Sequence, residues 1–102
     1  MQHVRMAVYT FKAGTADEVI RRAEAGAFPL FRSQPGFVGY GLIKTSDASG
    51  ISLSIWQTPE QAKAAVQVAA SWVKENVAEL IESVQNHVGD LSFFSSTGAL
   101  GS

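Results

Sequence analysis

Few side chains in this sequence offer chemistry, and they are scattered. His87 is of the type that exchanges protons near neutral pH. It falls where a long second helix should give way to the last strand, which makes it the best-placed general base; an exposed loop histidine is the plainer reading. Trp72 and Asn76 stand four residues apart, hence on one face of a helix, and an indole with an amide could orient a flat ligand. The alternative makes Trp72 a core plug and Asn76 a helix terminator. Arg5 is a charge inside an otherwise apolar strand. It is either an anion anchor in a cleft or a side chain that snorkels or pairs across a dimer. Tyr9 and Trp56 could line the same cleft or belong to the core, and Tyr40 fits a subunit interface as well. His3 and His87 are far apart and have no clustered third ligand, so no metal site is expected.

Composition narrows the field further. The absence of cysteine excludes disulfides, thiolate zinc, iron–sulfur clusters and a thiol nucleophile. Eight Lys and Arg are spread among nine Asp and Glu, without the basic stripe that nucleic-acid binding needs. No apolar run approaches the ~20 residues of a membrane span, and residues 1–10 lack a signal-peptide layout. A soluble, cytoplasmic protein is the default expectation. At 102 residues the chain should form one domain over 1–95, with the small polar residues 96–102 as a flexible tail.

The elements that must position these side chains follow from pattern. His3 to Phe11 is apolar and free of breakers, so it reads as a strand. Thr15-Ala-Asp-Glu18 has capping-box spacing and opens a helix over 15–27. Pro29 should then break the pattern, leaving a kinked or separate turn to about Ser33. Gln34-Pro-Gly36 is a turn signal. Phe37 to Thr45 is a second strand, Ser46 to Gly50 a hairpin, and Ile51-Ser-Leu-Ser-Ile-Trp56 a strictly alternating third strand. Thr58-Pro-Glu-Gln61 repeats the capping box with Pro59 at the first helical position. Ala62, Val66, Ala69, Val73, Val77, Leu80 and Val84 continue as one helical stripe, with a bend or break at Ser71 or Asn76. Val88 to Ser95 is then the fourth strand.

The order βαββαβ predicts a ferredoxin-like α+β fold, a four-stranded antiparallel sheet with both helices on one face. Yet the first strand carries Val4, Met6 and Val8 on one side and Tyr9 and Phe11 on the other. The second sets Phe37 and Ile43 against Val38, Tyr40 and Leu42. Two helices cannot cover both faces, and a bare apolar face favours a homodimer, sheet against sheet.

A βαββαβ chain of this length with Pro35-Gly36-Phe37 opening its second strand resembles the antibiotic biosynthesis monooxygenase (ABM) superfamily. A third strand ending in Trp56 before Thr58-Pro-Glu60-Gln-Ala62 strengthens the likeness, which extends to about residue 95. The resemblance implies a dimeric α+β barrel with a small-molecule cleft between each sheet and its helices. Some members oxidise aromatic polyketides with O₂ and no cofactor, and others degrade haem. The haem-degrading pattern of a first-strand Asn and a His ten positions after a Trp is absent, since Val66 and Glu82 occupy those positions after Trp56 and Trp72. The early second-helix His of other members falls at Ala64-Ala65. The expected function is a cofactor-independent oxidoreductase acting on a small flat apolar or phenolic compound, with His87 and Asn76 catalytic and Arg5, Tyr9, Trp56 and Trp72 binding substrate. The alternative is a non-catalytic binding or protective protein on the same scaffold.

Overall fold

The computed structural model describes residues 1–95; the expected tail at 96–102 lies outside the described residues. The chain runs β1 (His3–Phe11), α1 (Ala16–Arg22), a π-helical turn (Ala23–Ala27), α2 (Phe28–Arg32), β2 (Phe37–Ser46), β3 (Ser49–Trp56), α3 (Pro59–Asn76), a 3₁₀ turn (Ala78–Leu80) and β4 (Ile81–Asp90). The sheet order is β2-β3-β1-β4 with every neighbouring pair antiparallel, the ferredoxin-like arrangement.

Residue type and burial are inverted across this sheet. On β1, Arg5, Ala7, Tyr9 and Phe11 point under the helices and are buried; on β3, Ser52, Ser54 and Trp56 do so. Their neighbours Val4, Met6, Val8, Ile51, Leu53 and Ile55 face the other way, where no helix covers them. Strands alternate faces with period two, so the greasier set lies outside and the polar set inside. Alanines make the inner arrangement possible: Ala62, Ala65 and Ala69 on α3 are all buried and let that helix lie close to the sheet.

Four local expectations are corrected. Pro29 does not end the first helical segment. The backbone widens instead to a π turn in which the Phe28 N–H donates to the Ala23 carbonyl five residues back. This removes the clash that the proline ring would make with an α-helical carbonyl and lets α2 continue. The first capping box does not form: the Thr15 hydroxyl donates to the Lys12 carbonyl at 2.7 Å. Glu18 is taken by Arg21 and Arg22 at 2.6–2.9 Å, and their hydrogen bonds hold its carboxyl down at about 2. Arg22 also reaches Glu79 and the Asn76 carbonyl, both at 2.8 Å, tying α1 to the end of α3.

A bulge near Val38 resets the alternation of β2, so Phe37 turns inward and meets Trp56 edge-on at 5.7 Å. Finally, α3 stops at Asn76, one of the two expected break points, but the fourth strand is Ile81–Asp90, seven residues earlier in its start than Val88. Leu80 and Val84 continue the four-residue spacing of the helix before them, yet Leu80 ends the 3₁₀ turn and Val84 lies in the strand opposite Tyr9. Phe93 and Phe94 lie beyond the strand, exposed.

Candidate functional site

Alternation along β1 brings Arg5 and Tyr9 to the centre of the sheet's helix-facing side. Around them Phe31, Tyr40, Ser52 and Trp72 close a cavity of about 30 Å³, enough for one water. A second lobe of about 220 Å³ opens between α3 and β4; Arg5 and Tyr9 line it too, with Val73, Lys74, Val84 and Asn86. No carboxylate lines either space. A groove of about 300 Å³ on the far side of Tyr40 is bounded by Ile20, Glu24 and Phe28, and no buried charge lines it.

Arg5 distinguishes the central site. Only 1% of it is exposed. Its Nη2 donates to Tyr9 Oη at 3.1 Å, and its guanidinium carbon lies 5.5 Å from the centre of the Phe31 ring. Nε and Nη1 have no acceptor, and the nearby Ser52 hydroxyl is likewise buried without a partner. Among the described residues Arg5 has no ion pair. Burying a charge costs several kcal/mol, and a desolvated cation–π contact returns only ~2. Such a cation beside a cavity leaves two buried donors that an anionic group could satisfy.

The walls are aromatic. Tyr40 stacks on Phe28 at 6.0 Å and tilts against Phe31 at 4.9 Å. Burial, more than the neighbouring Tyr9, pushes the Tyr40 phenol up to about 12, while Arg5 opposes the rise; Tyr40 is a neutral hydroxyl at working pH. Trp72 crosses the π turn where Gly26 leaves room: a Cβ there would stand 2.9 Å from the indole Nε1.

Of the residues expected in the cleft, Arg5, Tyr9 and Trp72 come together. Trp56 packs one layer away, its indole donating to Ser54 Oγ at 2.9 Å and its ring between Phe31 and Phe37. Asn76 sits at the end of α3 and donates to the Trp72 carbonyl at 2.9 Å, away from the cavity. His87 is not at a helix–strand junction. It lies in mid-β4 opposite Met6, exposed on the outer face with the whole sheet between it and Arg5. Sequence reasoning left out Phe31, Ser52, Lys74 and Asn86. Ser52 and Ser54 carried a usable signal, since they share the face of Trp56 in a strictly alternating strand.

Comparison with known proteins places this geometry. The family model described as antibiotic biosynthesis monooxygenase matches residues 2–71. No curated protein matches the chain. Among solved structures, a protein of unknown function from Nitrosomonas europaea is 15% identical with a TM-score of 0.74, covering 93% of each chain. A NIPSNAP-like domain protein from Burkholderia xenovorans is 18% identical with a TM-score of 0.66, over 93% of this chain and 90% of its own. A mutant of SnoaB, a cofactor-independent oxygenase from Streptomyces nogalater, is 18% identical with a TM-score of 0.60, over 99% and 98%. At such identities the likeness is one of fold. The family model, spanning more than half of the sequence and both motifs at the β2 and α3 starts, decides the matter: this chain belongs to the antibiotic biosynthesis monooxygenase family.

Proposed function

We propose that the protein is an oxygenase that oxidises a small, flat phenolic or enolisable compound with O₂, without metal or flavin, in the lobe between α3 and β4 that Arg5 and Tyr9 line. The observation that carries this reading is the buried guanidinium with two acceptor-free nitrogens among aromatic walls. Cofactor-free oxygenation needs a substrate anion able to give an electron to O₂. The protein's part is to favour that anion and exclude water. At a ring carbon that bears hydrogen, ortho or para to the ionised oxygen, the anion passes one electron to O₂, and the resulting radical and superoxide combine as a peroxide. Loss of water from the peroxide leaves a carbonyl, so one oxygen atom ends in the product and the other in water. Arg5 stands where it lowers the cost of the anion, Tyr9 extends the hydrogen bonding, and Ala69, Val73 and Val84 give the ring apolar sides. No carboxylate or histidine lines the cavity to act as base, so the fixed positive charge acts on the substrate's own acidity.

Oxygen uptake with a panel of anthrones and hydroquinones tests this. Uptake above the buffer rate should rise with pH through the ionisation of the bound substrate. Because a fixed cation lowers that pKa, Arg5→Gln should move the rising limb upward by about one to three pH units. No uptake above buffer, or superimposable profiles, would count against the proposal.

The same reading includes a homodimer built on the outer sheet face. Its support is the uncovered row of Val4, Met6, Val8, Ile51, Leu53 and Ile55, with Ile43 53% exposed on the edge-side strand. Leu53→Glu should convert a dimer into monomers with its helix-side core intact, read by sedimentation velocity and circular dichroism. A wild-type chain that sediments as a monomer at micromolar concentration would sink the dimer.

A further inference from the structure

The lobe between α3 and β4, open to solvent on one side, has a volume and a charge that favour one class of ligand. Its volume of about 220 Å³ exceeds the ~150 Å³ in which an apolar protein cavity takes benzene. It falls below the ~300–1,000 Å³ of pockets for drug-sized molecules. That is room for one ring with a small substituent, and the inner 30 Å³ space adds only an atom or two. Ala69, Ala70, Val73 and Val84 give it apolar sides.

The lobe holds two cations at two depths. Arg5 is at the bottom, buried, with Nε and Nη1 free. Beside it Tyr9, whose oxygen accepts from Arg5, keeps its own O–H to donate. Lys74 is exposed at the rim together with Asn86 and has no ion pair among the described residues. Two positive charges without an acidic neighbour suit a ligand that carries two negative ones. A permanent carboxylate keeps most of its hydration if it stays at the rim, whereas an oxygen that ionises only when bound gains most from the dry cation below.

We infer that the substrate is a single-ring hydroxyaromatic acid, its carboxylate at Lys74 and Asn86, its ionisable hydroxyl at Arg5 and Tyr9. The inference rests on the oxygenase reading only for its placement of the reacting oxygen.

Titration calorimetry without oxygen separates the two claims, with 2,5-dihydroxybenzoate, hydroquinone and an anthrone carboxylic acid as probes. Wild-type protein should bind the dihydroxybenzoate about fivefold more tightly than hydroquinone, the gain of one partly exposed ion pair, and should reject the tricyclic acid. Lys74→Ala, at an exposed helix position, should abolish that preference without altering hydroquinone binding. Arg5→Gln should weaken both one-ring ligands. Equal affinity for the acid and hydroquinone, a preference that survives Lys74→Ala, or tight binding of the tricyclic acid would each overturn the inference. Selective binding of the acid without oxygen uptake in air would overturn the oxygenase reading and leave this one standing. Uptake with neutral anthrones and no selectivity for the acid would do the reverse.

Discussion

Arg5→Met should yield a more stable protein that no longer binds ligand. Methionine follows the path of the arginine stem, carries no charge to desolvate and fills the space between Tyr9 and Phe31. Replacing buried ionic groups with apolar ones of similar volume stabilises by about 1–4 kcal/mol in favourable cases. The two acceptor-free nitrogens of Arg5 put it among those cases. The Tyr9 hydroxyl loses one donor, a cost of ~1 kcal/mol that the relief exceeds. At about 4–8 °C per kcal/mol for a domain of this size, the midpoint of thermal unfolding should rise by several degrees at fixed protein concentration. Calorimetric binding of the one-ring ligands should vanish in the same variant. A fall in the midpoint would show that Arg5 holds the fold together and would remove the main reason for calling its surroundings a receptor.

Gly36→Ala should be among the most damaging single-methyl additions. The residue has φ +79°, and a Cβ there would fall 1.8 Å from Gln61 Oε1 and 2.1 Å from its Cδ. Left-handed backbone costs an L-residue roughly 1–2 kcal/mol. The Gln61 side chain is tethered through Oε1, which accepts from the Thr58 N–H at 3.0 Å. Displacing it breaks that half of the capping box, worth another ~1 kcal/mol, and leaves the Thr58 Oγ1 bond in place. The expected loss is about 2–3 kcal/mol in urea unfolding. In a Gln61→Ala background the same substitution should cost only the backbone part. Equal losses in both backgrounds would mean that the collision with Gln61 is not what Gly36 avoids.

That joint also explains which parts of the fold were readable. Pro35-Gly36-Phe37 and Thr58-Pro-Glu-Gln61 look like two separate motifs, yet they meet: the Gln57 N–H donates to the Gly36 carbonyl at 3.0 Å and Gln61 fills the space a side chain on Gly36 would need. Motifs that lock each other are legible because each residue type is demanded locally. The first and third strands were legible for a similar reason, since period-two alternation is a property of each strand alone, whereas the bulge near Val38 hid the facing of Phe37 on the second. The fourth was not, because Leu80 in a 3₁₀ turn and Val84 in the strand keep the spacing of the helix before them.

The site was half legible. Arg5 stood out as a lone charge in an apolar strand, and alternation set it on the face of Tyr9 and Phe11, but not which of the two faces the helices cover. His87 stood out by type alone, and the strand that begins at Ile81 carries it to the opposite face of the sheet. Phe31 reaches the cavity only because the helix continues past Pro29, which no local pattern announces.

The wide turn at Ala23–Ala27 has a consequence for the cavity's outline. An ordinary α-helical path would span the same stretch with one residue fewer. Deleting one would rotate Phe28 and Phe31 by about 100° and draw them back ~1.5 Å relative to α1. Both rings would then swing off Tyr40 and Trp56, and the pocket would lose its far side while every remaining amino acid kept its identity. The shape of the binding space is thus written partly in the number of links in the chain, so that insertions and deletions here act on ligand choice as strongly as substitutions do.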